Sequence, residues 1–142
     1  MRIAVVGVVL AWLAVLSLYD VRQRRLPNAL TLPGAGIILV AALPAGCGLA
    51  ALAGAAALSA VYLLVHLTAP AAMGAGDVKL AVGLGALTGC FGADVWLLAA
   101  LAAPLLTAAV GLVALVRRSE PIVPHGPSMC VASAAAVGLA MW

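Results

Sequence analysis

The chain is 142 residues long, 67% hydrophobic and 8% charged, with a formal net charge of +3. A soluble domain carries about 25% charged residues, so this chain cannot cover its own surface in water. It reads as an all-α integral membrane protein with one domain over 1–142. The basic residues form two small groups, Arg22/Arg24/Arg25 and Arg117/Arg118, with no aromatic-interleaved basic face, which argues against a nucleic-acid partner.

Residues 3–19 make the first predicted span. Tyr19 and Asp20 follow it with no small-residue cleavage site, so it is expected to be retained rather than removed as a signal peptide. Residues 26–76 hold no Asp, Glu, Lys or Arg. That is too long for one crossing and suits two, broken at the Pro/Gly stretch "LPAGCG" (43–48). Val78–Gly92 is short and glycine-rich, with Lys79 near its start; 95–116 is uncharged; 121–142 is entered through "PIVPHGP". If Val78–Gly92 crosses, then Arg22, Arg24, Arg25, Lys79, Arg117 and Arg118 all fall on one side, leaving only Arg2 opposite. The expectation is therefore six transmembrane helices with both termini outside and the charged loops in the cytoplasm. Small residues in "ALAGAAALSA" (51–60) and "VGLGAL" (82–87) predict close helix approach. Cys47, Cys90 and Cys130 have neither CxxC nor metal-ligand spacing and are expected to be apolar packing residues.

The acids number four: Asp20, Asp77, Asp94 and Glu120. The topology puts Asp20 at the cytoplasmic end of the first span and Asp77 at the cytoplasmic start of the fourth, at one membrane depth. Two neighbouring carboxylates away from bulk water share a proton, so one can activate water while the other protonates a carbonyl or a leaving amine. Their titration belongs to the pair. Gly74 and Gly76 would clear space beside Asp77 and permit unusual backbone angles. The residues alone leave another reading open. An Asp at a helix start is a common cap, expected for Asp94, and Asp20 can pair with Arg22 or Arg24 at the membrane surface.

"YDVRQRRLPNALTL" (19–32), "GAGDVKLAVGLGAL" (74–87) and "PHGPSMCVASAA" (124–135) together resemble the type IV prepilin peptidase family, in order and over nearly the whole chain. The resemblance implies a GxGD-type intramembrane aspartyl protease with Asp20 and Asp77 as catalytic residues and a prepilin or pilin-like protein as substrate. Gly74 and Gly76 match the second motif, and Arg22, Pro27, Asn28 and Lys79 match further motif positions. Gly126 and Pro127 match the entry to the last span. Larger members carry a cytoplasmic domain with paired cysteines that methylates the new N-terminus. This chain lacks it, which implies a short, peptidase-only form without zinc or other cofactor, associated with tight-adherence or related pilus systems in the cytoplasmic membrane.

Two other classes compete. One assigns the acids to a small proton- or cation-coupled transporter subunit, although neither lies near the middle of a span. A structural subunit, with the aspartates only capping and pairing, would tolerate Asp→Asn at both. His66 is expected to be packed or interfacial, and His125 stands where the family commonly has an apolar residue.

Overall fold

The computed structural model describes residues 2–118 and 123–142. Glu120 and the start of the expected last span, 121–122, lie outside them. The described residues form six α-helices and no strand: α1 Arg2–Gln23, α2 Asn28–Ala42, α3 Gly48–Thr68, α4 Ala75–Gly89, α5 Ala93–Val116 and α6 Gly126–Ala140.

The helix ends follow local chemistry. Nothing in "YDVRQ" interrupts a helix, so α1 runs past the expected end at residue 19 and carries Asp20 on its last turns. It stops where Arg24 turns to φ 50°, with Pro27 soon after. Pro27 is extended and gives α2 its N-cap. Its carbonyl accepts the N–H groups of Leu30 at 3.0 Å and Thr31 at 3.2 Å. The 43–48 break is a turn with Gly46 at φ 75°, and Pro127 occupies the first turn of α6, where a missing N–H costs nothing.

The expected crossings thus correspond to six helices, but of unequal length. The stretches Ile3–Gln23, Gly48–Thr68 and Ala93–Val116 are long and apolar enough to span a bilayer. Helices α2, α4 and α6 have 15 residues each, about 22 Å of rise against about 30 Å of hydrocarbon. Helix α4 is the centre of the bundle and packs against α2, α3, α5 and α6. Its Leu80 and Leu84 meet Leu13 and Leu16 of α1, Leu58 and Tyr62 of α3, and Met129 of α6 in one core cluster. The outer surface is apolar, with Ile37, Leu49, Leu67, Leu105 and Val116 all exposed, as a membrane protein requires.

The small-residue faces meet as expected. A Cβ on Gly89 would lie 2.6 Å from the Ala50 carbonyl oxygen, and one on Gly85 would lie 2.9 Å from the Gly54 carbonyl carbon, so α3 and α4 touch backbone to backbone. Trp96 of α5 donates its indole N–H to the Gly54 carbonyl at 3.0 Å, and Trp12 of α1 donates to the Leu30 carbonyl at 3.0 Å. Cys47, at the start of α3, and Cys90, at the end of α4, pack against the same buried alanines, Ala42, Ala51, Ala55 and Ala86, as small apolar residues do.

Candidate active site

Asp20 and Asp77 are both buried, at 7% and 9% exposure. They arrive from different elements yet open onto one cavity of about 590 Å³, within electrostatic reach of each other. The cavity lies where the end of α1, the loop into α2 and the start of α4 converge, with Gln23, Leu26, Pro27, Asn28, Gly74, Gly76 and Lys79 on its wall beside the two acids.

Each carboxylate is held by a glycine N–H. Gly126, the first residue of α6, donates its N–H to Asp20 Oδ2 at 3.0 Å. The first N–H groups of a helix have no partner within the helix, and they favour a negative group. A Cβ at Gly126 would stand 2.5 Å from Asp20 Oδ2, so only glycine allows this approach. Asp20 therefore bonds to the start of α6, while Arg22 is exposed.

Asp77 is the third residue of α4 and accepts the Gly74 N–H through Oδ2 at 3.3 Å. Its own N–H donates to the Gly74 carbonyl at 3.1 Å. This is the carboxylate half of a capping box; glycine has no side chain to complete the other half. In both acids the committed oxygen is Oδ2, which leaves Oδ1 uncommitted among the described residues.

The glycines act through space rather than through φ. Gly74 is extended at φ −76° and ψ 152°, which any residue adopts, and Gly76 is helical; the positive-φ glycines are Gly46 and Gly92. The expected unusual backbone angles are absent because α4 begins at once after Gly74. Gly76 is the crowded one, with Leu26 Cβ 3.2 Å from the position of its missing Cβ.

Other motif residues divide between the cavity and its surroundings. Lys79 Nζ donates to Asn28 Oδ1 at 2.8 Å, joining the two motifs at the cavity wall. Arg22 and Pro127 are not on that wall; Pro127 follows Gly126 in the first turn of α6. Asp94 is the second residue of α5 and makes no capping hydrogen bond, since Gly92 at φ 114° takes the N-cap. It still sits at the favourable positive end of its helix.

Sequence reasoning missed several residues here. Gln23 and Leu26 lie on the wall without any motif signal. His125 Nε2 lies 2.9 Å from the Tyr62 hydroxyl, and its Nδ1 lies 2.6 Å from the Thr107 hydroxyl. His66 Nδ1 lies 2.8 Å from the Met73 carbonyl oxygen and must be the donor, since a carbonyl only accepts. The available signal was the presence of isolated polar side chains in apolar helices, which need partners in lipid.

Two buried carboxylates beside one cavity are the kind of groups that acid–base chemistry uses. Among the described residues no three of His, Cys, Asp and Glu gather in a metal-ligand group. The family model for the type IV leader peptidase family matches residues 7–141. No curated protein and no solved structure matches the chain. The match takes in both aspartates, both glycines that hold them, α1 from Gly7 onward and the whole of α2 to α6, and on that footing the chain belongs to the type IV leader peptidase family.

Proposed function

We propose that this protein is a membrane-embedded aspartic endopeptidase that removes the leader of a type IV prepilin or pilin-like protein at the cytoplasmic membrane face. The observation that carries this reading is the pair of buried carboxylates, Asp20 and Asp77, opening onto one cavity. One carboxylate draws a proton from water as it attacks the scissile carbonyl. The other donates a proton to the carbonyl oxygen or the leaving amine, and the pair is then reset. The substrate must be locally extended for water to reach that carbonyl, and the cavity beside Asp77 is where such a strand would lie.

All six helices cross the bilayer in this reading, the short α4 being sheltered by its neighbours. That topology gathers Arg22, Arg24, Arg25, Lys79, Arg117 and Arg118 on the cytoplasmic side. A transporter subunit is the weaker reading, because both acids sit at helix ends and neither lies at the middle of a span.

The test is reconstitution of the purified chain in liposomes with a membrane-embedded prepilin, followed by mass spectrometry of the products. A single cut at the boundary between the polar leader and the hydrophobic helix is expected. An intact substrate, against several prepilins of both pilus and tight-adherence type, would contradict the proposal.

A further inference from the structure

The two aspartates share a second arrangement, less evident than the cavity they open onto. Each is held by a glycine N–H, and the peptide group or residue immediately before each glycine is tied to helix α3. On one side, His66 donates to the Met73 carbonyl at 2.8 Å. That carbonyl belongs to the same planar peptide group as the Gly74 N–H, which points at Asp77. Fixing the carbonyl therefore fixes the direction of the N–H.

On the other side, the imidazole of His125 is gripped at both nitrogens. Thr107 donates its hydroxyl proton to the Ala103 carbonyl at 3.1 Å, which leaves its lone pairs to accept from His125 Nδ1–H at 2.6 Å. His125 Nε2 is then the acceptor for the Tyr62 O–H at 2.9 Å. The His125 carbonyl accepts the Met129 N–H at 3.1 Å, and the next N–H, that of Gly126, points at Asp20. A neutral imidazole with both nitrogens engaged is a rigid strut.

Tyr62 and His66 are four residues apart on α3 and so lie on one face, one turn from the other. Tyr62 is 5% exposed and lies within electrostatic reach of Asp77. One rigid face thus reaches both ends of the pair.

We propose that Tyr62 and His66 of α3 are positioning residues that set the spacing and orientation of Asp20 and Asp77, Tyr62 through His125 and Gly126, His66 through Met73 and Gly74. This rests on the reading of the two aspartates as the catalytic pair. Neither residue lines the cavity, so each acts on the rate of the chemical step rather than on substrate capture.

The experiment measures kcat and KM for a prepilin in liposomes, with amide hydrogen exchange at Gly74 and Gly126 on the same preparations. Tyr62→Phe and His66→Leu are expected to lower kcat between roughly tenfold and a hundredfold, the scale of a small misplacement of reacting groups, with KM unchanged. His66→Asn, whose amide can donate from about the place of Nδ1, is expected to restore most of the rate. Exchange should quicken at Gly74 in His66→Leu and at Gly126 in Tyr62→Phe. Wild-type kcat in both variants would overturn the proposal, as would His66→Asn failing like His66→Leu. Unchanged exchange at both glycines would overturn it without reference to cleavage. Asp20→Asn and Asp77→Asn run beside them separate the two ideas. If those variants still cleave, the catalytic pair itself is wrong, whatever Tyr62 and His66 do.

Discussion

The N–H of Gly126 meets the Asp20 carboxylate at 3.0 Å, although the two residues are 106 positions apart in the chain. The last helix is therefore joined to the first at the acid on which the proposed chemistry depends. A side chain at Gly126 would displace that acid, because its Cβ would fall 2.5 Å from Oδ2. The carboxylate is the far end of a flexible side chain and can swing away, so the cost falls on activity more than on folding. Gly126→Ala is expected to reduce prepilin cleavage by about a hundredfold, the loss typical of a misplaced reacting group. Its amount in the membrane should stay near wild type. Gly74→Ala is the contrast. Its Cβ would sit 3.6 Å from Asp77 Oδ2, an ordinary contact, and its φ of −76° suits alanine. Cleavage within a few-fold of wild type is expected, and equal damage from both substitutions in a quantified cleavage assay would refute the distinction.

Arg24 and Arg25 line the cavity beside the two acids. A double Gln variant keeps their bulk and polarity and removes two charges. If the loop engages acidic groups on the substrate or the lipid headgroups, cleavage should fall chiefly through a raised KM, and more so at low salt, where such attractions are screened least. Span orientation must be checked in the same strain, since these charges also contribute to topology. Unchanged KM at fixed orientation would remove the loop from recognition.

The contact of α3 with α4 sets a stability prediction. Gly85→Ala would drive a Cβ to within 2.9 Å of the Gly54 backbone, which cannot yield as a side chain can. Overpacking of this kind costs about 1–3 kcal/mol. Gly36→Ala, at a helical position with nothing within 4 Å of the added atom, should be neutral or stabilising by up to about 1 kcal/mol. Thermal unfolding in detergent of both variants checks the pair. The account requires Gly85→Ala to melt clearly below wild type and Gly36→Ala not to.

Much of this organisation was legible in the residues, because a chain so poor in charge makes every acid conspicuous. Asp20 and Asp77 stood out for that reason, and Pro, Gly and uncharged runs marked the six helices within a few residues. The end of α1 differs from the expected end of the first span because hydropathy falls at Tyr19 while nothing in the following residues breaks the helix before Gln23. Of the two reasons for the glycines beside Asp77, unusual backbone angles fail, and space matters at Gly76, where Leu26 fills the place of a Cβ; that depends on what packs nearby and cannot be read locally. The role of His125 is not readable locally, because Tyr62 and Thr107, which bind it, lie 63 and 18 positions away. Hydrogen bonds across that distance come from the packing of α3, α5 and α6 and from no local pattern.

The central claim is that Asp20 and Asp77 act as one unit. The measurement that tests it most directly is cleavage of a membrane-embedded prepilin, co-expressed with wild type, Asp20→Asn, Asp77→Asn, the double variant or Asp94→Asn. It is read as a gel shift with each variant quantified in the membrane fraction. The account predicts cleavage with wild type and Asp94→Asn, and none with either single variant or with the double, since half of an acid–base pair is no pair. Cleavage by Asp20→Asn or by Asp77→Asn at a rate near wild type would contradict it.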